Sequence, residues 1–292
     1  MGPAFKVFLS RLASSASLWS LCAATMYWAF EPGFWILLSL LVLGGLREFF
    51  LMLRAASLPH FPKTGMLLGS ALTLASLAAA KFRGCAFALQ VEVAVLALGV
   101  LAVFTRQMVR TAPQPLPAAS IAYTVLGLAY VPFLATFSSK LLYLTPTNPD
   151  GRLSGHLYLL FLVIVTKFSD CGAYLAGSLF GRHLMIPHIS PKKTWEGFAG
   201  ALLLSLAGSV TLVRCFPKAL ALIPLPHAIL LGLLLSLVAV IGDLAESIIK
   251  RSTGTKDSGH FLPGIGGAMD LIDSLLFTGP VFYFYLRFVL GA

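Results

Sequence analysis

Residues 226–251 read PHAILLGLLLSLVAVIGDLAESIIKR. No charged side chain occurs from Ala228 to Gly242, after which Asp243, Glu246, Ser247, Lys250 and Arg251 follow at offsets 0, +3, +4, +7 and +8. An apolar run of this length suits a helix crossing hydrocarbon, which takes about 20 residues for a core roughly 30 Å thick. On that helix the five polar groups share one face, and Leu244, Ala245, Ile248 and Ile249 cover the other. The acids lie deeper and the bases nearer the water. Five such groups on one stripe suit a cavity rather than lipid. The plainer alternative is a set of i,i+4 ion pairs, such as Glu246 with Lys250, closing a helix end.

The rest of the chain has the same character. It has 292 residues, of which 58% are hydrophobic and 11% charged. Soluble domains carry about 25% charged residues, so lipid is the expected solvent here. The net charge is +10, with the basic residues scattered between apolar blocks. That distribution fits flanks of membrane spans rather than a nucleic-acid surface. Cys22, Cys85, Cys171 and Cys215 form no CxxC pair, which argues against a zinc site or a disulfide framework. Lys6 and Arg11 precede the run from Leu12 to Phe30, which is long enough to span and is read as a retained first helix.

The expected fold class is all-α, a polytopic transmembrane helical protein of about nine spans, at 12–30, 34–53, 65–80, 86–105, 119–138, 155–175, 198–213, 226–248 and 272–291. With the N-terminus inside, 13 basic residues fall on inside loops and ends against 7 outside, leaving Lys167 within the sixth span. Seven of the 11 carboxylates (Asp170, Glu196, Asp243, Glu246, Asp257, Asp270 and Asp273) fall near the inside ends of the last four spans. Ionisable groups near membrane depth are costly and mark sites. Residues 1–150 are therefore read as a scaffold and 151–292 as the catalytic region.

Three further stretches carry polar chemistry. Lys256-Asp257-Ser258-Gly259-His260-Phe261-Leu262-Pro263-Gly264-Ile265-Gly266-Gly267 is a glycine-rich loop whose N–H groups can approach an anion. Asp270 and Asp273 stand three apart at the entry to the last span, a carboxylate pair suited to Mg²⁺. Helix N-terminal capping is the simpler reading of Asp270. Asp170 lies in a small-residue stretch, and Ser190, Lys192, Lys193, Thr194 and Glu196 follow on an inside loop, where lysines suit phosphate oxygens. Carboxylates for a cation, bases for phosphates and an apolar surround are the parts of phosphoryl or nucleotidyl transfer to a lipid.

At these motifs the chain resembles the phosphatidate cytidylyltransferase (CDP-diacylglycerol synthase) family. The resemblance rests on Asp243, Glu246, Ser247, Lys250, Arg251, Lys256, Asp257, Pro263, Gly264, Gly266, Gly267, Asp270 and Asp273, with 190–197 and 170–177 in support. Two positions depart from it: Ile265 and Leu271 stand where the family has His and Arg. The resemblance implies transfer of CMP from CTP to phosphatidic acid or another lipid phosphate. It implies one Mg²⁺, or Mg²⁺ with a second cation, held by Asp243, Asp270 and Asp273. Lys250, Arg251, Lys256, Asp257 and Asp270 would be catalytic. Asp170, Ser190, Lys192, Lys193, Thr194, Glu196, Glu246, Ser247, Gly264, Gly266 and Gly267 would bind substrate. A homodimer in a bacterial inner membrane, with the site facing the cytoplasm and no nucleic-acid partner, completes the expectation. A CTP-dependent kinase of a polyprenol or other lipid, an inactive relative and a secondary transporter stay open as alternatives.

Overall fold

The computed structural model describes residues 30–110, 116–144, 155–255 and 266–292, together with residues 20, 24 and 259. The described chain is helical apart from one small hairpin. Helix α1 spans Glu31–Ala55, α2 Pro62–Arg83, α3 Cys85–Val109, α4 Pro117–Leu142 and α5 Gly155–Phe180. Strands β1 (Leu184–Ile186) and β2 (Ser190–Thr194) follow, then α6 (Trp195–Cys215), α7 (Leu225–Ser252) and α8 (Ala268–Phe288). Among the described residues, α1 to α7 are the seven helices long and apolar enough to cross a membrane. The chain is an all-α polytopic membrane protein. The expected first span, 12–30, lies almost wholly outside the described residues.

Local sequence explains the boundaries. Proline opens α1, α2 and α4 at the first or second helical position, where its missing N–H costs nothing. The third and seventh expected spans, 65–80 and 198–213, are too short. Their helices run on through Lys81 and Arg83, and through Trp195, Glu196 and Arg214, to 22 and 21 residues. Charged residues end the apolar run without ending the helix. Within α4, Pro132 cannot donate to the helical ladder, and Ala129–Phe133 relaxes into a π turn around it.

The chain divides into two compact units. The first comprises residues 1–140 and 250–272, the second residues 141–249 and 273–292. Helices α7 and α8 each continue from one unit into the other. In the first unit Leu46, Phe49, Leu72, Leu77, Val103 and Val131 form the apolar core. A fully buried ion pair lies there too: Lys140 Nζ contacts both oxygens of Glu92 at 2.6 Å and Thr136 Oγ1 at 3.1 Å. Ser76 donates to the same carboxylate at 2.5 Å.

In the second unit α5 and α6 pack along their length. A Cβ on Gly172 would strike the Gly200 carbonyl, so the two helices approach at backbone distance. Hydroxyls add links between helices. Ser205 donates to the Gly232 carbonyl at 2.8 Å, and Ser209 to the Ala228 carbonyl at 2.6 Å. Phe161 stacks on Phe282 at 5.4 Å. Only 22% of the apolar stretch of α3, and of α6, is buried, against 50% for α1. Most of the apolar surface of α3 and α6 therefore faces outward, as lipid-facing helices do.

Candidate active site

The hairpin aims one lysine of a pair. Strand β2 pairs antiparallel with β1, Ile186 opposite Ser190 and Leu184 opposite Thr194. Neighbouring side chains on a strand point to opposite faces. Lys192 is exposed, whereas the half-buried Lys193 reaches α7, pairing with Asp243 at 2.7 Å and donating to the Val240 carbonyl at 3.2 Å. The hairpin was not legible in the sequence: its strands have three and five residues, and Pro191 interrupts the second.

The strand ends on its own cap. Thr194 is the N-cap of α6, its hydroxyl accepting from the Gly197 N–H at 3.1 Å. Glu196 clasps the preceding turn. It accepts from the backbone N–H groups of Arg182 and His183 at 3.1 and 3.2 Å and contacts the His183 ring at 2.6 Å. Both residues thus brace the hairpin that carries Lys193. Ser190 sits at the opposite end of the register, against Ile186.

Within the second unit the carboxylates converge. One ligand oxygen each from Asp243, Glu246 and Asp273 lies within 4.8 Å of the others, with Glu246 and Asp273 buried. Gly242 permits this: a Cβ there would lie 2.8 Å from the Asp273 carbonyl oxygen and 3.0 Å from Ser274 Cα. Asp273 is steadied by the Ser274 N–H at 2.6 Å. Asp170 borders the group, accepting from the Ser274 hydroxyl at 3.4 Å and pairing with Lys167 at 3.0 Å. The charge of Lys167 acts on Asp273 and Asp243 as well. Three clustered carboxylates with adjacent lysines form an oxygen donor set that fits a hard divalent cation.

The first unit holds a second polar group. Lys250 pairs with Asp270 Oδ1, and the Gly267 N–H donates to Asp270 Oδ2 at 2.6 Å. Since α8 begins at Ala268, Asp270 reaches back to the N-cap N–H in the manner of a capping box. The capping reading of Asp270 therefore holds beside its pairing with Lys250. Gly266, at φ +117°, makes the turn, and a Cβ there would meet Asp270 Oδ2 at 2.7 Å. Arg251 is exposed and Ser247 half-buried on the last turns of α7. Lys256, Asp257 and Gly264 lie outside the described residues, as does Ile265.

Two participants escaped the sequence reading. Glu48, in α1, is 4% exposed and accepts from the Met269 N–H at 2.9 Å. It also packs on Gly259 of the glycine-rich loop, where a Cβ would collide with its carboxylate. Its signal was a lone carboxylate, next to Arg47, well inside an apolar span. Lys167 stands three residues before Asp170 within a span, the i,i+3 spacing of a pair. Leu271, in place of the family's Arg, is 6% exposed, so its apolar side chain belongs to the packed interior of the first unit.

The cytidylyltransferase family matches residues 10–289. A Synechocystis phosphatidate cytidylyltransferase is 31% identical over 87% of this chain and 88% of its own length. A Mycobacterium bovis phosphatidate cytidylyltransferase is 38% identical over 53% of this chain and 47% of its own length. An Escherichia coli protein named "Uncharacterized protein YnbB" is 40% identical over 53% of this chain and 50% of its own length. The chain spans about half the length of the first of these curated relatives that it matches. With 280 of its 292 residues matched (10 to 289 inclusive), the chain belongs to the cytidylyltransferase family.

Proposed function

We propose that the protein transfers CMP from CTP to phosphatidic acid, giving CDP-diacylglycerol and pyrophosphate. The observation that carries this reading is the convergence of Asp243, Glu246 and Asp273 beside Lys167 and Lys193. Relatives named phosphatidate cytidylyltransferase support the choice of substrates. In the reaction a phosphate oxygen of phosphatidic acid forms a bond to the α-phosphorus of CTP. The bond from that phosphorus to the bridging oxygen of the β-phosphate breaks, and pyrophosphate carries away the electron pair.

The three carboxylates are the residues to hold Mg²⁺, which supplies neutralisation of the triphosphate charge when bound. The remaining roles belong to the chain. Lys193, aimed by the hairpin, and Lys192 hold phosphate oxygens. Lys250, positioned by Asp270, and Arg251 neutralise the departing pyrophosphate. Asp170 and Lys167 fix the charge balance around Asp273. The Gly266–Gly267 turn offers backbone N–H groups to phosphate. We read these groups as facing the cytoplasm from a bacterial inner membrane, a reading that the excess of basic residues on the inside ends supports. There a soluble nucleotide meets a membrane lipid.

The test is purified full chain in detergent with phosphatidic acid, Mg²⁺ and CTP labelled on the α-phosphate, with Asp273→Asn as control. Label entering lipid, and lost in the variant, is the expected result. Label entering lipid only from the γ-phosphate identifies a kinase instead. No transfer from either position, by folded protein, rejects the reading.

A further inference from the structure

We propose that a cationic cleft in the first unit, formed where α2 begins and α3 ends, binds the phosphate of an anionic phospholipid. None of its residues belongs to the two polar groups described above, and its test does not depend on cytidylyl transfer. The cleft encloses about 560 Å³ and is lined by His60, Phe61, Lys63, Thr64, Arg106 and Arg110, with Pro62 and Val109. Among these described residues none is acidic.

The basic groups converge on a fixed point. Arg106 lies in the last turn of α3 and Arg110 is its C-cap residue, and both guanidinium groups lie 5.7 Å from the centre of the same ring, that of Phe61. Phe61 is buried, and its backbone N–H is tied to Thr124 Oγ1 at 3.0 Å. His60 is held by contact of its Nδ1 with the Leu58 carbonyl at 2.8 Å and by stacking on Phe50 at 5.6 Å. Each guanidinium group gains from the Phe61 ring, which holds both at the cleft. A phosphate in the cleft gains from Arg106, Arg110 and Lys63 together, and guanidinium groups match phosphate oxygens two at a time. The start of α2 adds to the same field: it has no side-chain cap and no acidic residue in its first turn.

The surroundings select a lipid over a free anion. The cleft sits at the ends of two spans, where headgroups lie. Along α3 from it, Val109, Phe104, Leu101 and Leu98 are exposed apolar side chains. They offer a path for an acyl chain whose phosphate rests among the arginines.

The experiment counts lipids retained by the full chain in detergent, by native mass spectrometry. Wild type is compared with Arg106→Gln/Arg110→Gln, with Lys63→Gln, and with Arg54→Gln, an exposed base outside the cleft. Each is incubated with phosphatidylglycerol, with phosphatidylcholine, or with phosphatidylglycerol plus inorganic phosphate. Wild type is expected to retain phosphatidylglycerol in preference to phosphatidylcholine. The double variant should retain it on the order of tenfold less, and Lys63→Gln about fivefold less, with Arg54→Gln unchanged. Lys63→Gln keeps the test decisive if the double variant does not fold. Equal retention of both lipids, no loss in Lys63→Gln, or an equal loss in Arg54→Gln would overturn the proposal. Displacement of the lipid by millimolar inorganic phosphate would show a free-anion site and overturn it as well.

Discussion

The carboxylate of Glu48 accepts a 2.9 Å hydrogen bond from the backbone N–H of Met269, 221 residues further along the chain. A residue of the N-terminal scaffold thereby secures the first turn of α8, one residue before Asp270. Glu48→Ala removes the acceptor from a buried N–H, a loss of about 1–3 kcal/mol. Glu48→Gln keeps a carbonyl oxygen in place. Thermal melting and label transfer should separate the two variants. The alanine variant is expected to melt lower and transfer about tenfold more slowly. The glutamine variant should stay close to wild type in melting temperature.

The three-carboxylate group makes a direct prediction about metal. Asp243→Asn and Asp273→Asn each remove one carboxylate charge from the proposed cation-binding set. Removing a group that merely orients a metal ligand costs 10–100-fold in affinity, so a direct ligand should cost on the order of 100-fold. Mn²⁺ binding followed by electron paramagnetic resonance checks this without turnover. Unchanged Mn²⁺ affinity in both variants would remove these residues from the cation site.

Gly242 tests whether helix spacing governs that group. An alanine Cβ there would lie 2.8 Å from the Asp273 carbonyl oxygen, nearer than real Cβ atoms come, so α7 and α8 must part. Gly242→Ala should weaken Mn²⁺ binding by about tenfold while leaving every ligand in the sequence. Retention of wild-type affinity would show that the helices give way elsewhere.

The Lys140–Glu92 pair is wholly buried. Lys140→Met leaves an uncompensated carboxylate and should cost about 3–5 kcal/mol, whereas Lys140→Met/Glu92→Leu should recover most of it. Denaturation of the purified protein in graded sodium dodecyl sulfate measures both. A double variant no more stable than the single one would show that Thr136 and Ser76 depend on the ion pair for their own placement.

Most of the architecture was legible without coordinates, because hydrocarbon demands long apolar helices and tolerates charge only where it has a use. The run from Ala228 to Gly242 had to be helical. The spacing of Asp243, Glu246, Lys250 and Arg251 then had to form one stripe on it. The seven carboxylates of the C-terminal half were read as candidate site residues for the same reason. Helix ends were read less well at Lys81, Glu196 and Arg214, since a helix continues through charged residues once its ladder is formed.

Only the tertiary structure decided which charges meet. Lys193 contacts Asp243 across 50 residues because a hairpin of eight strand residues turns it toward α7, while its neighbour Lys192 is left exposed. Asp273 joins Asp243 and Glu246 because Gly242 lets two helices touch at backbone distance. Glu48 meets the start of α8 through one hydrogen bond to a distant N–H. The basic residues near Phe61 read as ordinary span flanks until the fold gathered them on one ring. Periodicity determines which face of a helix is polar. Packing between helices determines what that face meets.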